Sequence, residues 1–434
     1  MEHVIPLVVG LVLLAWLLGG GEWLRQRRPD WHWYVTGYPR TAARVVLTWR
    51  KVAQLNDLSV SYKPPRRVLG GVAVKGTALR STPPRISFPR ALPNGLSLLV
   101  RLRPGQTPAP FLEAADALAH TWGVHGVRVT SPRRGAVLIT ATAVDPLDDP
   151  QLPEDTGSPP LLSAVVGVLE TGGAWVMDFR RVPHWLIVGA TQSGKSTLLA
   201  RLVSQLAPQP VALVGIDCKG GMELGLFAGR LSALTTCRRE AVAVLTALVT
   251  DMQERMRTCR RVGARSIWEL PEKQRPVPVV VIVDELAELY LTNGSKEDRA
   301  EAEQCSSYLL RLAQLGAALG VHLVIAGQRV GSDLGPGVTA LRAQLSGRVC
   351  HRVNDPTTAE MTLGDLHKDA VVVAQSIGTG QKGVAVTTDD ADGWVRGRSC
   401  LTTPEDAQRI ASEHADMAPH LPLAAAALDG GEEQ

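Results

Sequence analysis

Aromatic residues make up only 4% of this 434-residue chain, and half of its ten tryptophans (Trp16, Trp23, Trp31, Trp33 and Trp49) fall in the first 49 positions. The N-terminal arm is therefore adapted to surroundings that differ from those of the rest. The six cysteines lie far apart, with no CxxC and no Cys/His ligand spacing, which excludes a zinc ribbon and a disulfide framework and suits a reducing cytosol. There is no internal repeat and no low-complexity tract, and hydrophobic and charged fractions of 45% and 20% exclude a disordered chain. Acidic residues are sparse only at the start. Residues 1–80 hold twelve Lys/Arg against four Asp/Glu, whereas the whole chain is +4, so everything beyond is net acidic and the overall basicity does not argue for a nucleic-acid-binding body.

One long uncharged apolar run exists, residues 4–21, just long enough to span a bilayer. No Lys or Arg precedes it, no A-x-A cleavage site follows it, and Arg25, Arg27 and Arg28 come directly after it. The expectation is a single-pass anchor over residues 1–24 in the cell membrane, with the N-terminus outside and the remaining chain in the cytoplasm. Residues 25–84 read as a juxtamembrane amphipathic segment and linker. Val45, Val46, Trp49, Val52 and Ala53 share one helical face suited to an anionic leaflet, and Pro/Arg/Gly-rich sequence follows.

Residues 85–150 predict a small α+β domain. Leu96, Leu98, Val100 and Leu102 alternate as in a strand, Phe111, Ala115, Leu118 and Ala119 line one helical face, and two more strand patterns flank PRRG. His120 and His125 stand alone and read as structural.

The chemistry lies further on. An apolar strand runs into G-x-x-x-x-G-K-S, Gly189 to Ser196. Gly189 and Gly194 let the backbone of Ala190, Thr191, Gln192 and Ser193 wrap around phosphates, with the next helix's N-terminus aimed at negative charge. Lys195 is expected to reach the β- and γ-phosphates of ATP, Ser196 to ligate Mg²⁺, and Thr197 to complete the loop. The β-branched run Val279 to Val283 predicts a central parallel strand that ends in Asp284, placed for Mg²⁺, and Glu285, placed to deprotonate water. A third strand precedes Asp217, Lys219 and Glu223, and a fourth ends in Gln328, whose amide can sense the γ-phosphate. Strands alternating with helical patterns predict an α/β, RecA-like P-loop NTPase with a doubly wound parallel sheet.

These segments, with GIDCKGGMEL, LAQLGAALGVHLVIAGQRV and LSGRVCHRVNDPTTAEMTLG, resemble the FtsK/SpoIIIE motor domain over residues 160–400. WHWYVTGYP and RPGQTPAPF resemble the N-terminal part of actinobacterial FtsK-like transfer proteins. The resemblance implies a membrane-anchored homo-hexameric ATPase that pumps double-stranded DNA during conjugative transfer. It assigns Gln328 as the sensor and Arg348 as an arginine finger toward a neighbouring subunit, with Arg342 as the alternative. The chain departs from the family at Ala317, Gly327, Val330 and Gln192. Residues 401–434 read as one helix and an acidic tail, with no room for a sequence-reading winged helix, so DNA contact is expected to be to the phosphate backbone. A protein-export ATPase, a septal chromosome-segregation pump and a non-catalytic scaffold are the competing readings.

Overall fold

The computed structural model describes residues 29–62, 80–92, 94–148, 152, 159–364, 366, 368–389 and 393–429. The anchor expected at 4–21, the basic cluster after it, residues 63–79 of the expected linker and the last residues of the acidic tail lie outside these. Among the described residues no helix is long and apolar enough to cross a membrane. The chain divides into two compact units, Met1–Pro146 and Leu147–Gln434.

In the first unit the helix Tyr38–Leu55 follows a short helical turn and a π-helical stretch, Trp33–Gly37. Its apolar stripe was expected to lie on lipid. Instead Ala42, Val45, Trp49, Val52 and Ala53 are buried in one core with Leu96, Leu98, Val100, Phe111, Leu118, Trp122, Val137 and Ile139. The stripe is real, but a sheet covers it. Val46, expected on the same face, points outward, 47% exposed. Polar tips fix the helix in place: Trp33 Nε1 donates to the Leu92 carbonyl at 2.7 Å, Tyr38 Oη to that of Pro89 at 2.6 Å and Trp49 Nε1 to that of Pro84 at 3.0 Å. The strands of this unit are β1 (Val60–Tyr62), β2 (Arg80–Thr82), β3 (Arg85–Ile86), β4 (Arg90–Leu92), β5 (Gly95–Arg101), β6 (Gly126–Arg133) and β7 (Ala136–Thr142). β1 and β2 pair with each other; the rest form an antiparallel sheet ordered β3-β5-β7-β6, with β4 also on β5. The helices Ala109–Glu113 and Ala115–Trp122 add Phe111, Leu118 and Trp122 to the same core as the long helix.

The second unit is built on a mixed sheet of ten described strands: β8 (Ser163–Leu169), β9 (Ala174–Asp178), β10 (His184–Val188), β11 (Ala212–Ile216), β12 (Ala233–Thr235), β13 (Val279–Val283), β14 (Val321–Gly327), β15 (Gly347–His351), β16 (Val384–Thr388) and β17 (Trp394–Ser399). The order is β12-β11-β13-β14-β10-β15-β16-β17-β8-β9. The six strands from β12 to β15 are parallel, as expected; β16, β17, β8 and β9 extend the sheet antiparallel, which corrects the all-parallel expectation.

Why the central strands read as unbroken apolar runs is plain from the two layers that cover them. Val279, Val281 and Val283 enter one core with the helices Arg238–Arg261 and Lys296–Leu315, while Val280 and Ile282 enter the other with the helix Lys195–Leu206. Each central strand buries both faces, so alternation of polar residues is lost. The segment after residue 400 belongs to these layers. The helix Pro404–Glu413, capped by Thr403, buries Ala407 and Ala411 in the second layer, and Leu421 and Ala424, at the start of a further helix Pro422–Asp429, bury in the first.

Candidate functional site

The parallel strands β10, β11, β13 and β14 all end at one rim, and the candidate residues lie on the turns just beyond. The turn after β10 is the tightest. Ala190 N–H donates to the Arg352 carbonyl at 2.8 Å, Ser193 N–H to that of Ala190 at 3.1 Å, and Gly383 N–H to that of Ser193 at 2.9 Å. Gly194 has φ +113°, and a Cβ there would overlap the Gly383 backbone, so glycine is required. A Cβ on Gly189 would lie 2.8 Å from that of His351. Gln192, with φ +60°, is one of three non-glycine residues with positive φ among the described residues. Left-handed residues at 192 and 194 curl the backbone into the kind of concavity that binds anions. The Lys195–Leu206 helix begins at the same place, and its first amides have no carbonyl to meet.

A cleft of about 410 Å³ opens over this turn, lined by Ala190, Thr191, Gln192, Gly194, Lys195, Ser196, Thr197, Asp284 and Gln328, together with Lys219, Met222, Glu223 and Lys382. Gly189 and Ser193 shape the loop from below. Lys195, 8% exposed, donates through Nζ to the Asp284 carbonyl at 2.6 Å and lies 3.3 Å from its Oδ1. Asp284 and Glu285 are 2% and 6% exposed, a costly placement for two adjacent carboxylates without cations. Two lysines supply them. Lys219 Nζ lies 3.2 Å from Glu285 Oε2 and 3.9 Å from Asp284 Oδ2, and Lys195 Nζ lies 4.0 Å from Glu285 Oε2. Burial works against the Lys219 charge, but Glu285 and Asp284 outweigh it and hold the amine above its ordinary value.

Asp217, fully buried, fixes the loop that presents Lys219. It accepts the backbone N–H groups of Lys219 at 3.3 Å, Glu223 at 2.9 Å and Leu224 at 3.0 Å. Gln328 sits at the opposite edge, where its N–H donates to Glu285 Oε1 at 3.1 Å and its side-chain oxygen accepts from Thr191 Oγ1 at 3.3 Å. Gly327 follows from this contact: a Cβ there would crowd Glu285 Oε1 at 3.1 Å.

Arg348 does not join the site. It is 6% exposed within β15, with Nη2 donating to the Arg342 carbonyl at 2.9 Å, and Arg342 Nη1 donates to the Val330 carbonyl at 3.1 Å. Arg348 thus lies outside the lining of this chain's own cleft, and its role toward a neighbouring subunit stays an expectation of the resemblance. Met222 and Lys382 were missed. The glycine-flanked lysine in GTGQKG, ahead of a strand pattern, was the available signal for Lys382.

Among the described residues no group of three or more His, Cys, Asp or Glu could hold a metal ion. A Mg²⁺ here would be shared between Ser196, Asp284 and phosphate oxygens, in keeping with its sparse use of protein ligands. The oxygen donors lining the cleft and the paired lysines fit a magnesium–triphosphate group.

Residues 16–143 match the actinomycete conjugal transfer protein N-terminal domain, and residues 151–332 match the FtsK/SpoIIIE family. The chain is 43% identical to transfer protein TraSA of Streptomyces ambofaciens over 88% of this chain and 94% of that protein. It is 28% identical to the DNA translocase FtsK of Campylobacter jejuni, over 59% of this chain but only 25% of that protein. In fold it is similar to the pCW3 conjugation coupling protein TcpA, solved as a monomer with ATPγS, at a TM-score of 0.55 and 22% identity over 86% of this chain and 99% of that one. The chain belongs to the FtsK/SpoIIIE family, in the branch that carries the actinomycete conjugal transfer N-terminal domain.

Proposed function

We propose that this protein is a membrane-anchored, ATP-driven translocase of double-stranded DNA that serves conjugal transfer. The observation that carries the reading is the position of Lys195, at the mouth of an anion-binding turn and in contact with Asp284, with Glu285 next in the chain. The relatives, a transfer protein and a DNA translocase, supply the substrate class.

In this reading the turn's amides and Lys195 bind the β- and γ-phosphates. Ser196 and Asp284 would hold Mg²⁺, which would supply neutralisation of phosphate charge. Glu285, its carboxylate held in place by Lys219, orients the attacking water and takes its proton. Gln328, bonded to both Thr191 and Glu285, ties the state of the phosphate loop to the position of the base. The apolar run at 4–21 anchors the chain in the cell membrane with the motor in the cytoplasm, and a homo-hexameric ring encloses the duplex.

The test is ATP turnover by the full-length protein with no DNA, single-stranded DNA or duplex, across a salt series. Stimulation by duplex alone, weakening with salt, is expected. Turnover indifferent to DNA would contradict the reading and favour protein export.

A further inference from the structure

Among the described residues, the antiparallel sheet of the first unit buries one face in the core and leaves the other half-buried at its middle and exposed at its edges. Leu96, Leu98 and Val100 of β5 and Val137, Ile139 and Ala141 of β7 face the buried core. The alternate residues therefore face away, and the strand register sets which of them are neighbours.

Across one row, Arg90 of β4 pairs with Ser97 of β5, Ser97 with Thr140 of β7, and Thr140 with Arg128 of β6. Across a second row, Arg85 of β3 pairs with Arg101 of β5, Arg101 with Ala136 of β7, and Ala136 with Arg133 of β6. Leu99, Leu138 and Thr130 lie between the rows, and the paired strands carry no carboxylate on this face. Arg85, Arg90, Arg101 and Arg133 are exposed.

Like charges directly opposite each other on neighbouring strands repel. Arg85 and Arg101 stand in that relation, a repulsion that an external anion relieves. The four exposed guanidinium groups of Arg85, Arg90, Arg101 and Arg133, with Ser97, Thr130 and Thr140 hydroxyls among them, match a phosphate backbone, which is bound by arginine forks and hydroxyl donors. A lipid surface fits less well, because the middle of the face offers two half-buried leucines and the one strongly exposed apolar side chain between β3 and β4 is Phe88.

We infer that this open sheet face is a second duplex-binding surface, separate from the ATP-binding motor, which grips DNA through its phosphates. The inference takes duplex DNA as cargo from the function proposed above and adds a place on the chain where it is held.

The test uses full-length protein, a short fluorescein-labelled duplex and no nucleotide, with affinity read by anisotropy over a salt series. Replacing Arg90 and Arg101 together by Gln is expected to weaken binding about tenfold and to lower the salt slope by about two. The same pair changed to Lys keeps most of the affinity and the slope, which separates lost charge from lost folding. Unchanged affinity and slope in the Gln pair, with duplex-stimulated turnover intact, would overturn the surface and spare the motor reading. Loss of binding to phosphatidylserine vesicles with duplex binding retained would reassign the face to lipid and overturn the inference. A wild-type protein that binds no duplex would overturn both.

Discussion

Lys219 Nζ sits 3.2 Å from Glu285 Oε2, while Glu285 Oε1 accepts the backbone N–H of Gln328 at 3.1 Å. Both oxygens of the proposed base are thus engaged, one from the turn after β11 and the other from the turn after β14. Lys219 is a positioning residue: it holds the carboxylate, and Asp217 holds Lys219.

Lys219→Met is therefore expected to lower kcat roughly five- to tenfold, equivalent to about 1 kcal/mol for a part-exposed ion pair, with KM for ATP changed far less. Lys219→Arg recovers much of the loss. Steady-state ATP kinetics would show this, and a rise in KM with kcat unchanged would make Lys219 a phosphate ligand instead.

Gln192 occupies a left-handed backbone conformation that disfavours side chains. Gln192→Gly should stabilise the motor unit by about 0.5–1 kcal/mol, offset in part by the freedom glycine adds to the unfolded chain. The urea midpoint of the motor transition would rise. Gly194→Ala should do the opposite and weaken nucleotide binding, since its Cβ meets the Gly383 backbone.

His184 and His322 lie buried at the start of β10 and β14, with ring centroids 6.4 Å apart. Burial pushes His184 down to about 4 and His322 to about 3, the latter helped by the charge His184 would carry. Unfolded histidine takes up its proton near pH 6.5, so between there and about pH 4 the unfolded state binds more protons. Stability is full above that window and falls as pH drops through it, by roughly 3 kcal/mol for His184 alone. His184→Asn keeps an acceptor for the Leu323 N–H and cannot protonate, so its denaturant midpoint should vary less between pH 6.5 and 4 than wild type. An equal pH dependence would remove this cause.

Removal of residues 1–24 should release the protein from membranes into the soluble fraction. Sedimentation with membranes after that deletion would place the attachment elsewhere, and the exposed Val46, Leu47 and Leu55 side of the Tyr38–Leu55 helix would be examined first.

The parts visible in the sequence were those whose residues meet a local demand. Gly194 must be glycine for its φ, and the Val279–Val283 run must be apolar because both faces are covered. What the sequence concealed depends on partners far along the chain. The stripe Val45, Trp49 and Val52 is the same pattern whether lipid or a sheet covers it, and the sheet lies forty or more residues on. Lys219 and Glu285 are 66 residues apart, so their pairing appears only once β11 and β13 are neighbours. The Pro422–Asp429 helix is alanine-rich and shows no polar contrast from which a buried face could be read. Arg348 was placed by resemblance alone, because a role toward a neighbouring subunit leaves no local mark in one chain beyond its burial in β15.

The most direct test of the account is displacement of a third strand from a duplex, read by fluorescence, with wild-type protein and Glu285→Gln. The account predicts displacement by wild type with ATP and none with ATPγS, while Glu285→Gln binds ATP and displaces nothing. ATP turnover by wild type without displacement of the third strand would contradict it.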